Sequence, residues 1–187
     1  SFFFTLIMIK KLSILFGSKM KAQEILLLQH DVKPVIRQGF YPHELQKIKT
    51  YCTNNKLHYS ISNFKVLLVD DTQYSNKGTR ISETDERPGM FFMYISKDET
   101  KAHLAKYFEM LNNHKDLGET LGYPECCTTY FIQNFSTNNS NPEHVPTNSY
   151  TNLTERQNDA AIISHFPCNS DCQQSIQMAK SYVDVLM

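Results

Sequence analysis

Four of the five cysteines fall in two tight clusters, Tyr123-Pro124-Glu125-Cys126-Cys127 and His165-Phe166-Pro167-Cys168-Asn169-Ser170-Asp171-Cys172. Thiols gathered in this way can hold a metal ion as thiolates, or act as nucleophiles and redox pairs. Cys168 and Cys172 are four apart, so on one helix they share a face. Three intervening residues also suit one half of a zinc site. His165, just before a proline, can fold its ring back over the same helix end. Cys126-Cys127, upstream in the chain, is the source of the remaining ligands.

In each cluster a proline precedes what reads as the first turn of a helix, a position where its missing N–H costs nothing. The positive end of a helix and its free N–H groups lower a thiol pKa, and a bound zinc ion completes the deprotonation. Adjacent side chains on a regular helix diverge by about 100°. The expected ligand set is therefore His165, Cys168, Cys172 and one of Cys126 or Cys127, with zinc as the expected ion. Neighbouring Cα atoms ~3.8 Å apart also make Cys126 and Cys127 poor disulfide partners.

Other chemistries compete with this one. An iron–sulfur cluster would use all four thiols and a locally non-helical Cys126-Cys127. Metal-free thiol chemistry would make Cys126 or Cys168 the low-pKa thiol, Cys172 the resolving partner and His165 the base. The spacing is not the Cys-x-x-Cys of thioredoxin-like proteins. If a bound zinc kept an open position, Glu125 is the carboxylate nominated as base. A structural metal in a non-enzymatic interaction module is a third reading, and plain core packing of cysteines is the baseline.

Outside the clusters the candidates are weaker. Cys52 continues an apolar helical stripe and reads as a small buried hydrophobe. His103, His114 and His144 read as solvated side chains, and Asp70-Asp71 as strand-end capping. No P-loop, dinucleotide fingerprint, nucleophile elbow or paired-histidine helix motif occurs.

The elements that must position the thiols follow from periodicity. Residues 20–30 read as a helix with Ala22, Ile25, Leu26 and Leu28 inward, and Tyr41-Pro42 opens a second through Leu45, Ile48 and Cys52. Leu57, Tyr59 and Ile61 alternate, Phe64 to Val69 is a compact apolar run, and Met90 to Ile95 is another strand. Residues 72–89 between them read as a long loop. Ser96 with Glu99 looks like a capping box for a helix bearing Ala102, Leu104, Ala105, Phe108 and Leu111. Residues 117–122 form a short turn or helical piece. A helix then runs from Cys126 to about Phe135, burying Tyr130 and Phe131. Residues 136–152 read as a flexible loop. Thr154 to Ser164 reads as a helix, stopped by Pro167, which starts the last one with Ile176, Ala179, Tyr182, Val183 and Leu186 inward. The expected fold is α+β, a small mainly antiparallel sheet packed by helices that dominate the C-terminal half.

With 187 residues, the chain is expected to form a single domain over 20–187. Met8 and Met20 are both plausible starts, so residues 1–19 enter none of these expectations. Lys+Arg and Asp+Glu are both 19. This balance does not indicate a nucleic-acid partner and leaves a protein partner open. The apolar stretch Phe2 to Ile9 is broken by Lys10-Lys11 well short of a membrane span and lacks the n-region of a signal peptide, so no membrane association is expected. An odd cysteine count fits a reducing, cytoplasmic compartment. The sequons at Asn134, Asn138 and Asn152 are what an Asn-rich chain produces by chance.

Leu121-Gly122-Tyr123-Pro124-Glu125-Cys126-Cys127 with Tyr130-Phe131, followed by His165-Phe166-Pro167-Cys168, Cys172 and Ser175, resembles an uncharacterised, largely archaeal family. Its members carry a Gly-Tyr-Pro-x-Cys-Cys element and a later His-x-Pro-Cys-x-x-x-Cys-x-x-Ser element. The resemblance covers roughly residues 65–187 and includes the strand Phe91 to Lys97. It implies that Cys126, Cys127, His165, Cys168 and Cys172 belong to one site, and it supplies no reaction.

Overall fold

The computed structural model describes residues 2–68, 78–136, 138–139, 142 and 145–187. The chain is α+β and divides into two compact units, residues 34–121 and residues 1–33 with 122–187. Asp70, Asp71 and His144 lie outside the described residues.

Residues 34–121 are built on four antiparallel strands, β1 (Val35–Phe40), β2 (His58–Leu68), β3 (Gly78–Ser82) and β4 (Met90–Ser96), in the order β1-β4-β2-β3. Three helices complete this unit: α3 (Pro42–Asn54), α4 (Glu99–Met110) and α5 (His114–Thr120). Met93, Tyr94 and Ile95 are all fully buried. Successive strand residues point to opposite faces, so both faces of β4 are covered.

Sequence periodicity located most of this unit, and its misses have physical causes. The two apolar runs join over His58–Leu68 into the single strand β2, whose register against β4 shifts between Ile61 and Lys65. Ser62 fills that bulge, donating to the Phe64 carbonyl and accepting from the Phe92 N–H. Within the expected loop 72–89, β3 forms an edge strand. Its side chains are mostly exposed, so it carries no apolar alternation to read. A Cβ at Gly78 would lie 2.1 Å from Val66 Cγ1, so only glycine lets β3 approach β2 here. The cap of α4 is Asp98, which accepts from Lys101 N–H, while Ser96 donates to the Pro34 carbonyl. On α4 the expected Leu104 is exposed, as is Leu111 just past its end, and Glu109 is buried instead. Cys52 is a buried core residue, as its apolar stripe predicts.

The second unit is helical. Its elements are α1 (Phe2–Phe16), α2 (Lys19–Gln29), α6 (Glu125–Asn134), a 3-10 helix (Leu153–Asn158) and α7 (Gln173–Leu186). Gly17, with φ 78°, makes the sharp joint between α1 and α2. Helix α2 is buried nearly all round, including Glu24 and Leu27. Leu27, Leu153, Ile163, Phe166, Ala179 and Tyr182 form the buried core. Tyr130 and Phe131 are half-buried.

The expected helix 154–164 is replaced by the 3-10 helix and an irregular stretch. Asp159 adopts a left-handed conformation with φ 53° and ends helical winding. The stretch then buries Ala161, Ile163, His165 and Phe166 without regular structure. The last helix starts at Gln173, six residues after Pro167. The Asn169 side chain organises the intervening turn by accepting from Asp171 N–H.

Candidate metal centre

All four clustered cysteines lie in the helical unit. Cys126 and Cys127 are the second and third residues of α6, and Cys172 is the residue immediately before α7. Cys168 sits in the turn preceding α7, so Cys168 and Cys172 do not share a helix face as their spacing suggests. The four Sγ atoms nevertheless lie within 4.8 Å of one another. Cys126 Sγ is 3.8 Å from both Cys127 Sγ and Cys172 Sγ, and Cys127 Sγ is 3.7 Å from Cys172 Sγ.

Both adjacent cysteines therefore join the cluster, where helical divergence predicts only one. Cα–Cβ bonds tilt toward a helix N-terminus. In the first turn of α6, no preceding turn blocks that direction, and the two side chains can converge over the helix end. Cys127 and Cys172 are buried, while Cys126 and Cys168 are half-exposed.

His165 is not among the grouped side chains. It is buried, and its Nε2 lies 2.8 Å from Ser175 Oγ. That hydroxyl lies 3.2 Å from Cys127 Sγ, and Cys168 N–H donates to the same sulfur at 3.3 Å. Because α7 begins only at Gln173, His165 does not stand one turn before a helix. Its ring packs against Tyr123 instead, with centroids 5.2 Å apart. Glu125 is exposed at the start of α6 and is likewise not grouped with the sulfurs.

The titration of these groups follows their surroundings. Burial pushes Cys127 upward against the hydrogen bonds that favour its thiolate. Burial and the neighbouring thiols raise Cys168 to about 11. Burial also opposes ionisation of Cys172, but Ser175, Cys168 and Cys127 outweigh it and bring this thiol down to about 7. Cys172 thus ionises first of these three, and repulsion from its charge delays the others. Burial, followed by the charges of Lys33 and Arg156, lowers His165 to about 3, so it is neutral at physiological pH. In the other unit, burial alone lifts Cys52 to about 12, consistent with an inert thiol.

Behind this cluster lies a polar network that sequence reading missed. Lys33 and Glu24, both buried, form an ion pair. Lys33 Nζ also donates to Ser164 Oγ at 2.7 Å, and Tyr123 Oη lies 3.3 Å from that hydroxyl. Burial works to discharge Lys33, yet Glu24, Tyr123 and Tyr182 hold its pKa above the ordinary lysine value. The sequence signal was available in Glu24, a charge within an otherwise apolar helical stripe.

No protein-family model matches the chain, and neither curated proteins nor solved structures provide a match. No helix among the described residues is long and apolar enough to cross a membrane. The four cysteines are positioned to bind a metal ion.

Proposed function

We propose that Cys126, Cys127, Cys168 and Cys172 hold one zinc ion as a four-thiolate centre, and that this centre fixes the turn 167–172 to α6 and α7. The observation that carries this reading is the sulfur spacing. A tetrahedron with zinc–sulfur bonds of about 2.3 Å has edges of about 3.8 Å. The separations among the Sγ atoms of Cys126, Cys127 and Cys172 are 3.7–3.8 Å, and Cys168 Sγ lies within 4.8 Å of each. A polynuclear iron–sulfur cluster distributes its cysteines over several irons and spaces their sulfurs more widely, so the geometry favours a mononuclear ion. Four protein ligands close the shell, which is the mark of a structural zinc. On this reading Glu125 has no open metal position to serve. The chain acts as a zinc-stabilised module rather than a metallohydrolase.

Ser175 and Cys168 N–H supply the surrounding hydrogen bonds that orient the sulfurs. The metal-free alternative rests on Cys172, the thiol that ionises near neutrality, with half-exposed Cys126 3.8 Å away as its disulfide partner.

Elemental analysis and visible spectroscopy on protein purified without oxygen test the proposal, beside a Cys168→Ser, Cys172→Ser double variant. About one zinc per chain, absent from the variant, is the expected result. Replacing zinc by cobalt should give the absorption of a tetrahedral tetrathiolate. A coloured protein containing iron would replace zinc by iron. No metal, together with a reversible Cys126–Cys172 disulfide, would overturn the proposal in favour of thiol chemistry.

A further inference from the structure

Helix α1 is apolar nearly all round, yet only one side of it is covered. Ile9, Leu12 and Phe16 are buried, and α1 packs on α2 and α7 within its own unit. On the other side Phe3, Phe4, Leu6, Ile7 and Ile14 are exposed, Phe3 and Ile14 to 73% and 77%. At about 100° per residue, Phe3, Ile7 and Ile14 fall within about 40° of one another and form one stripe along the helix. Exposed apolar side chains are ordinarily scattered singly, and a contiguous row of them marks a docking face.

The polar groups of α1 indicate what that face meets. Exposed Lys10 and Lys11 stand on either side of the stripe, and α1 contains no acidic residue. Ser13 turns its hydroxyl back to the Ile9 carbonyl at 2.7 Å, so this donor is spent within the helix. A second copy of the chain fits such a face poorly. Two-fold pairing would bring both lysine pairs together near the middle of the contact, where like charges repel.

A bilayer suits both parts of the pattern. Apolar side chains enter the boundary between headgroups and acyl chains, while lysines lay their stems along that surface and reach lipid phosphates with their ammonium groups. The 15 residues of α1 rise about 22 Å, less than the ~30 Å hydrocarbon core, so the helix lies on such a surface rather than crossing it. The break at Lys10-Lys11 that argues against a span is what an interfacial helix needs. We propose that the face of α1 formed by Phe3, Ile7, Lys10, Lys11 and Ile14 docks the protein on an anionic lipid surface.

The test is co-sedimentation of the full chain, at low ionic strength, with two kinds of vesicle. One is phosphatidylcholine alone, and the other is three parts phosphatidylcholine to one part phosphatidylserine. Binding to the mixed vesicles is expected, weakened about tenfold or more by Lys10→Gln with Lys11→Gln, as two lysines near an anionic surface predict. Phe3→Ser with Ile14→Ser alters the two most exposed apolar positions of the stripe. It should abolish binding and leave the circular dichroism spectrum unchanged. Lys47→Gln with Lys101→Gln removes the same charge from exposed positions on α3 and α4 and should bind like the wild type. The chain has no tryptophan, so Phe4→Trp supplies a unique reporter. Its emission should shift to the blue on mixed vesicles and be quenched by brominated acyl chains. No binding to mixed vesicles, equal affinity for both vesicle types, or undiminished binding after Phe3→Ser with Ile14→Ser would overturn the proposal. A concentration-dependent dimer, broken by that same variant and seen without vesicle binding, would assign the face to a second copy instead.

Discussion

In residues 34–121 the backbone largely holds itself. Four antiparallel strands satisfy one another's hydrogen bonds, and Ser62 repairs the interruption in the ladder between Ile61 and Lys65. Residues 159–172 of the helical unit have no ladder and no helix, yet they bury Ile163, His165 and Phe166. Buried irregular backbone must find its partners in side chains or other loops. Here Asp159 reaches the start of α2, Ser164 meets Lys33, His165 meets Ser175, and the Ser170 carbonyl accepts from Thr151. The cysteine cluster closes the end of this segment. The difference teaches where a metal matters: a sheet keeps its shape without one, whereas a segment pinned by isolated side chains depends on each pin.

The largest effect should come from removing the centre. If the four cysteines hold zinc as proposed, Cys127→Ser with Cys172→Ser removes two of the four ligands and should abolish zinc retention. Structural zinc sites contribute on the order of 10 kcal/mol of binding free energy at neutral pH, so the helical unit should lose much of its stability. Hydrogen exchange followed by mass spectrometry should show α6, 159–172 and α7 deprotected while β1, β2 and β4 stay protected. Equal deprotection of both units would break the comparison.

Next in size is Glu109, the ionic counterpart in the sheet unit. Stranding a buried charge costs about 3–5 kcal/mol, and here the cost is smaller because Arg37 and Arg80, whose guanidiniums pair with Glu109, are partly exposed. Glu109→Gln should therefore lower the unfolding temperature of the sheet unit and leave zinc content unchanged. Burial raises the Glu109 pKa, but Arg37, Arg80 and Tyr94 outweigh it, so the net shift is downward. The unfolded chain then binds the proton more readily. The stabilisation is present above the ordinary carboxylate range and is lost as pH falls through the lowered folded value. Acid unfolding of the Gln variant should be less steep in that range.

A smaller and sharper test concerns the residues behind the sulfurs. His165→Gln preserves a hydrogen-bonding group near Ser175 but cannot titrate. If the four sulfurs are the whole shell, this variant keeps one zinc per chain; zinc loss matching the cysteine variants would make His165 a ligand. The pH dependence has its own sign. Folding lowers His165 from about 6.5 to about 3, so its contribution is intact above the unfolded value and is lost as pH falls from about 6.5 toward 3. His165→Gln should flatten the acid response of the helical unit over that window. Ser175→Ala removes a polar neighbour shared by Cys127 and His165 and should weaken zinc by about 10–100-fold, as loss of an outer-shell partner does.

The same contrast explains what the sequence disclosed. Apolar period and turn residues revealed α3 and α7, which bury one face against a core, and a continuous apolar run revealed β4, which is buried on both faces. The cysteine clusters were legible because thiols rarely gather without a task. The ligand geometry was not, since it depended on where α7 starts. Pro167 resembled a helix start, but the turn ordered by Asn169 delays the helix to Gln173. The edge strand β3 was hidden because it buries little. Glu109, Arg37 and Arg80 were hidden because they come from three elements whose meeting no local pattern records.

The smallest predicted effect tests the pinning of 159–172 most cleanly. Asp159 accepts from Ser18 Oγ at 2.6 Å and from Met20 N–H at 3.0 Å, and also from Lys19 N–H, 140 residues earlier in the chain. Free N–H groups of α2 are thus satisfied by a distant carboxylate, whose charge suits the positive helix end. Because φ at Asp159 is 53°, alanine would lose the carboxylate and strain the backbone together. Glycine adopts that conformation freely, so Asp159→Gly isolates the carboxylate, and asparagine keeps an acceptor without the charge. Asp159→Gly should cost about 1 kcal/mol, the usual value of a helix cap, and Asp159→Asn should cost less. Thermal unfolding of the three proteins measures both. An Asp159→Gly variant as stable as the wild type would mean that 159–172 is held by burial and the sulfur cluster alone, and that the polar pins only follow the fold.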